Sequence, residues 1–186
     1  MIEVKDDFLE NKDFKDLQEY CESNEFNLVN AGDKDFSVLP VPDNVLRVLR
    51  EREPNQDISL SFIRRAFKGF DDELRIHCDG IIANRKTSKA SVLYINKNKG
   101  VTPNGTAFYK HTIHGERLSK DASEEEFNRL INKDSNNISK WKKVSFVESK
   151  ENRLLTYDAN LFHSKYPSSI EEGERVVLVC FYSDKI

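Results

Sequence analysis

The chain has 186 residues, 38% of them hydrophobic and 33% charged, with 12 Phe and 6 Tyr. A chain of that length buries about 70% of its unfolded surface, enough for one domain with a real cavity, and the aromatic content excludes intrinsic disorder. Lysines and arginines number 29 against 32 acids, giving a formal charge of −3 with both signs interspersed, and the missing basic excess excludes a general nucleic-acid binder.

No run of about eighteen apolar residues exists, and the opening MIEVKDDFLE lacks the basic start and apolar core of a signal peptide. The three cysteines, Cys21, Cys78 and Cys180, show no CxxC spacing and fit free thiols in a reducing compartment. A cytoplasmic, soluble protein with no membrane partner is expected.

In chain order, EVKDDFLENKDFKDLQEYCESN predicts a short apolar stretch and then a helix, capped at Asn11 or Asp13, with Phe14, Leu17 and Cys21 on one face. VPDNVLRVLRERE predicts a second helix through Val45, Leu46, Val48 and Leu49, closed by Pro54. The period then changes: ISLSFIRRAF alternates Ile58, Leu60 and Phe62 with serines, as a strand with one wet face does. A turn is expected at Asp71 and Asp72. Strands follow in ELRIHCD, ASVLYINK, GTAFYKHT, VSFVES, NRLLTYDA and ERVVLVCFYS, separated by turn clusters such as NKNKGVTPNG and YPSSIEEGE. Before VSFVES, the segment DASEEEFNRLINKDSNNISKW inserts a helix, with Ser123 and Glu126 as a capping box. The result is a mainly β chain with flanking helices, an antiparallel sandwich or jelly roll. One domain is expected over residues 1–186: helical support over about 1–55, a β core over about 56–186, and a helical insert over about 120–142.

The stretch RIHCDG sets a histidine and an aspartate two apart on a strand, so His77 and Asp79 share a face while Cys78 points into the opposite layer. Imidazole plus carboxylate suits Fe(II), and a second histidine completes the two-His, one-carboxylate set that leaves positions open on the metal. His111 and His114, three apart, are out of phase for one strand face and read as exposed loop residues. His163, at the far end of the apolar strand in LLTYDANLFHSKYP, is the better third ligand. Arg175 opens the last strand; a charge entering so apolar a strand needs an anion, which a guanidinium receives bidentately. Read alone, it would pair on the surface with Glu171, Glu172 or Glu174. Tyr94 in VLYIN either adds a phenolic hydrogen bond to the same anion or fills the core. KWKK around Trp141 reads as a solvated edge with one buried indole. Arg64, Arg65 and the NRK of 84–86 either meet an anionic substrate or guard an edge strand. Phe67, Phe70, Ile81 and Ile82 line an entrance or fill the core, and their spacing decides for neither.

On RIHCDG, DANLFHSKYP and GERVVLVCFY, with VLYINKN and NGTAFY in support, the chain resembles the Fe(II)- and 2-oxoglutarate-dependent dioxygenases, in their prolyl-4-hydroxylase-like branch. The opening VKDDFLENKDFKDL also looks like the start of such domains. The insert departs from the hydroxylases of collagen and hypoxia signalling and looks more like a bacterial and phage branch. The resemblance implies a double-stranded β-helix. It implies Fe(II) on His77, Asp79 and His163, with no catalytic side chain beyond these ligands, and 2-oxoglutarate held at its far carboxylate by Arg175 and Tyr94. Dioxygen would be consumed with release of succinate and carbon dioxide, and an unactivated carbon hydroxylated on a peptidyl, prolyl-type, or amino-acid side chain or a small molecule. Two rivals are a cupin-like metal enzyme that does not use 2-oxoglutarate and an inactive jelly-roll binding module.

Overall fold

The computed structural model describes residues 1–31, 34–71, 73–82, 85–96, 104–119 and 121–185. Four expectations fall at least partly outside the described residues: Asp72 of the turn, Asn84 of NRK, the end of the ASVLYINK strand, and most of the turn cluster after it. The elements are β1 (Ile2–Lys5), α1 (Asn11–Ser23), β2 (Asn27–Ala31), β3 (Lys34–Leu39), α2 (Asp43–Arg52), β4 (Gln56–Phe67), β5 (Ile81–Ile82), β6 (Arg85–Lys86), β7 (Lys89–Tyr94) and β8 (Gly105–His111). Then come α3 (Glu124–Arg129), a π turn (Leu130–Asp134), a 3-10 turn (Ile138–Lys140), β9 (Trp141–Glu148), β10 (Leu154–Asp158), β11 (His163–Tyr166) and β12 (Glu174–Asp184). No described helix is long and apolar enough to cross a membrane.

The chain is mainly β. Seven strands form one antiparallel sheet in the order β1, β10, β7, β12, β4, β3, β2, and β11, β8 and β9 form a smaller one. Strand alternation builds layers on both faces of each sheet. On β12, Val177 and Phe181 turn inward and join Val92 and Tyr94 of β7, Phe108 of β8 and Leu155 and Tyr157 of β10 between the two sheets. Val176, Leu178, Cys180 and Tyr182 turn outward under Phe14 and Leu17 of α1 and Val45 and Leu49 of α2. The outer face of the small sheet, with Ala107 and Tyr109, is covered by Leu118, Leu130 and Trp141 from the insert and its surroundings. Cys78 packs in that outer layer, as its alternation predicts.

Several expectations are corrected. The first helix takes Glu10 as its N-cap, without a side-chain hydrogen bond, so neither Asn11 nor Asp13 caps it. Residues 1–55 are more than helical support, because β1, β2 and β3 come from them and join the large sheet. The hairpin of β2 and β3 has no clear signature in its sequence; β2 is exposed throughout and gains its shape by pairing with β3. ELRIHCD forms no continuous strand: a single bridge joins His77 to His163. Arg75 has a positive φ of 35°, which breaks extension two residues before the histidine. His163 heads its own strand, β11, after a turn that ends β10. The capping box of Ser123 and Glu126 is present.

Gly105 matters at the join of β8 and β9. A Cβ there would collide with the backbone carbonyl of Val147 and reach 2.9 Å from the Ser149 nitrogen, so β9 would have to shift. Gly105→Ala is therefore expected to cost about 1–3 kcal/mol of stability, read by chemical denaturation; an unchanged midpoint would show that β9 yields freely.

Candidate metal centre

His77 and His163 exchange backbone hydrogen bonds, His77 N to His163 O at 3.0 Å and His163 N to His77 O at 2.9 Å. Asp79 N donates to Ala159 O at 2.7 Å. These bonds lay residues 77–79 beside 159–163, although more than eighty residues separate the two in sequence. The outcome is a cluster in which one ligand atom each from His77, Asp79 and His163 lies within 4.8 Å of the others. Asp79 and His163 are buried, and the His77 ring is partly exposed at the cavity wall.

The rings are aimed by their far nitrogens. His77 Nδ1 lies 2.9 Å from Arg75 O and His163 Nδ1 lies 3.0 Å from Leu161 O. A carbonyl only accepts, so each Nδ1 carries the hydrogen and each Nε2 offers a lone pair inward. The Nε2 atoms face the Asp79 carboxylate, His77 at 3.5 Å from Oδ1 and His163 at 3.3 Å from Oδ2. Burial, with His163 close by, pushes the His77 imidazole down to about 4. Burial opposes the charge on Asp79, but His163, His77 and the Tyr157 hydroxyl outweigh it and hold the carboxyl below its ordinary range. His77 is thus a neutral imidazole and Asp79 a carboxylate, the forms in which each can donate to a metal.

The insert clamps the His77 segment from outside. Asn136 Oδ1 accepts from Arg75 N at 2.8 Å, and Ser135 O accepts from Ile76 N at 2.8 Å. Arg75 is thereby fixed in its left-handed conformation, and its carbonyl in turn fixes the His77 ring.

A cavity of about 80 Å³ is lined by the three ligands together with Arg175, Thr106, Tyr157 and Val92 among others. Arg175 is inward on β12 and half-buried, its Nε buried and its guanidinium carbon 5.8 Å from the Tyr94 ring centroid. Its Nε has no hydrogen-bond partner among the described residues. The nearby acid Asp71 is engaged by Arg64, and the surface pairing once open to Arg175 falls to Arg65, whose Nε lies 3.8 Å from Glu174. Burial lowers the guanidinium from its usual value, yet an arginine stays charged. Tyr94 is wholly buried and its hydroxyl shares a 2.8 Å hydrogen bond with Thr106 Oγ1. A larger cleft of about 520 Å³ between α1 and residues 166–176 contains none of the three ligands.

The structure therefore brings His77, Asp79, His163 and Arg175 around one interior space, while Tyr94 lies behind its wall and reaches it through Thr106. It corrects His111, expected in an exposed loop: it is buried, with Nδ1 facing the Ile113 and His114 nitrogens at 3.3 Å and Nε2 3.4 Å from Asp134. Trp141 is buried, its indole donating to Asp134 O at 2.7 Å. Sequence reasoning missed Tyr157, whose hydroxyl touches Asp79 and His163; its two-residue spacing from Leu155 was the signal that would have turned it inward. It also missed the Asn136 clamp, for which no local pattern exists.

A family model described as "Family of unknown function (DUF6445)" matches residues 43–176. The chain belongs to that family. The DUF6445 match runs from the start of α2 into β12 and so spans His77, Asp79, Tyr94, His163 and Arg175. No curated protein matches the chain. Among solved structures it is similar to HygX from Streptomyces hygroscopicus, crystallised with nickel, 2-oxoglutarate and hygromycin B, at TM-score 0.63 and 12% identity over 100% of this chain and 83% of that one. It is also similar to a Pseudomonas putida prolyl-4-hydroxylase, at TM-score 0.55 and 11% identity over 99% of this chain and 92% of that one. A viral collagen prolyl hydroxylase from Paramecium Bursaria Chlorella virus-1, in its 2-oxoglutarate complex, gives TM-score 0.53 and 10% identity over 100% and 96%. This DUF6445 chain shares its fold with all three, which bears out at the level of fold the resemblance read from the sequence.

The depressed His77 value makes a pH prediction for metal-free protein. Folded His77 takes a proton only near pH 4, whereas unfolded imidazole does so near 6.5, so the folded form binds fewer protons in between. Its stabilising contribution is complete above about pH 6.5 and is lost as pH falls toward 4. The Tm of metal-free protein should decline over that window, and His77→Ala should flatten the decline; equal slopes would disprove it.

Proposed function

We propose that the chain is an Fe(II)- and 2-oxoglutarate-dependent oxygenase on a double-stranded β-helix, one catalytic domain over residues 1–186 that hydroxylates an unactivated carbon. The observation that carries this is the pairing, in one cavity, of a His-Asp-His donor set with a guanidinium whose buried Nε has no hydrogen-bond partner among the described residues. The donor set fits iron: two imidazoles and one carboxylate are borderline-hard ligands, and three protein donors leave room for others. The guanidinium fits the cosubstrate, because a buried charge is stable only when an anion answers it. The chemistry supplied at such a centre is activation of dioxygen with oxidative decarboxylation of 2-oxoglutarate, giving succinate, carbon dioxide and a hydroxylated carbon.

The chain's own residues do the positioning. His77 and His163 present Nε2 because their Nδ1 hydrogens are held by carbonyls, and Asp79 supplies the single negative charge. Arg175 receives the far carboxylate of the cosubstrate, and Tyr94, steadied by Thr106, adds its hydroxyl there. Val92, Val177, Val179 and Phe181 close the cavity around that anion and keep water from it. The reading is supported by 2-oxoglutarate in HygX and in the viral hydroxylase, structures of the same fold. Two of the similar structures are prolyl hydroxylases, which favours a peptidyl or amino-acid side chain as substrate. A cupin-like enzyme without 2-oxoglutarate, or an inactive binding module, would give Arg175 no occupation.

Anaerobic Fe(II) with 2-oxoglutarate should produce the weak visible charge-transfer band of the chelate. Asp79→Ala should lose the metal, while Arg175→Ala should keep it and bind 2-oxoglutarate on the order of 30-fold more weakly, the effect of removing one partner of a buried charge pair. Succinate release across peptides, amino acids and nucleic acids then identifies the substrate. A protein that binds neither ligand at millimolar concentration is not this enzyme.

A further inference from the structure

Tyr157 is inward on β10, buried, with its ring 5.4 Å from that of Phe108 and 4.6 Å from that of His163. Packed so, its hydroxyl cannot turn to solvent. It lies 3.2 Å from Asp79 Oδ2 and 2.9 Å from His163 Nε2. A phenol carries one hydrogen, so it has two acceptors to choose between.

The choice disappears once His163 Nε2 gives its lone pair to a metal. His163 Nδ1 already carries that ring's hydrogen toward Leu161 O, so Nε2 has nothing left to offer the phenol, and Asp79 Oδ2 becomes its acceptor. An oxygen engaged by that hydrogen bond is a poorer metal donor than Oδ1, which lies on the His77 side. We propose that Tyr157 is a positioning residue that ties up Asp79 Oδ2, confines the carboxylate to one-oxygen coordination, and so keeps a coordination position open for 2-oxoglutarate. The inference rests on the oxygenase reading above. With six positions on iron, three protein donor atoms leave three, enough for a two-oxygen chelate and dioxygen. A carboxylate bound through both oxygens would take one of them.

Tyr157→Phe removes a single oxygen and tests this with Co(II) in place of iron. The variant should still bind Co(II), show a visible d–d spectrum different from that of the native protein, and bind 2-oxoglutarate about tenfold more weakly, because the freed Asp79 Oδ2 competes for the coordination position with about the strength of one hydrogen bond to a charged group. Identical Co(II) spectra and equal 2-oxoglutarate affinities would overturn the proposal. The native protein provides a test that needs no variant. Its ferric form should lack intense visible phenolate-to-iron absorption; a strong band would make Tyr157 a ligand, not a positioning residue, and would also overturn it. Native protein that gives no 2-oxoglutarate chelate band takes both readings down, whereas a native band together with equal 2-oxoglutarate affinity and an identical Co(II) spectrum in Tyr157→Phe removes only the role of Tyr157.

Discussion

The reciprocal backbone pair between His77 and His163 is the constraint on which the site depends. Two hydrogen bonds join the segment leaving the large sheet to the strand that begins β11, and they add a further edge to the small sheet. Each residue is at once a rung of that pairing and the bearer of one nitrogen of the His-Asp-His cluster. Because paired residues in an antiparallel ladder lie side by side, the register that closes the sheet also sets the spacing of the two imidazoles. Their ring centroids lie 4.5 Å apart, and Asp79, one step along the same face, falls between them.

The second constraint is the alternation of β12. Val177, Val179 and Phe181 place the inward register of that strand between the sheets, and Arg175, two residues before Val177, shares it. A guanidinium therefore enters a layer made of Val, Phe, Tyr and Leu, where an isolated charge costs several kcal/mol. The outward register, Val176 to Tyr182, is held by the helices α1 and α2, so β12 cannot rotate to relieve the charge. The fold thus forces the arginine inward, and an anion in the cavity is the economical answer to it.

Much of this was legible in the sequence where the controlling interactions are local or periodic. Period-two alternation located β4, and apolar runs between turn clusters located β7 and β12; the capping box located α3; the HxD spacing and the lone arginine before an apolar strand picked out side chains that the fold gathers at one cavity. What stayed hidden depends on partners distant in the chain. Arg75 adopts a positive φ because Asn136 and Ser135 hold it there, and an arginine gives no hint of such a conformation. His111 looks like a loop residue until the tight turn after it brings two backbone N–H groups onto its Nδ1. The edge strand β2 is exposed at every position, so it lacks the apolar alternation that would have announced it.

The His77 segment is finally an element held from two sides. Asn136 and Ser135 of the insert grip Arg75 and Ile76 from the outer layer, while Tyr157 and Ala159 of the inner layer engage Asp79 through side chain and backbone. A segment with one isolated bridge and a left-handed residue would be free to shift if either grip were absent, because it lacks the continuous ladder that steadies an ordinary strand. The insert is therefore tied to the metal centre as well as to the outer face of the small sheet. At the cavity's rim Arg64 and Arg75 lie over the Phe36 ring at 4.6 and 5.0 Å, so the hairpin of β2 and β3 is drawn to the same segment. The insert and the N-terminal hairpin, parts with the weakest strand signatures in the sequence, are thus the ones that converge on the loop carrying His77 and Asp79.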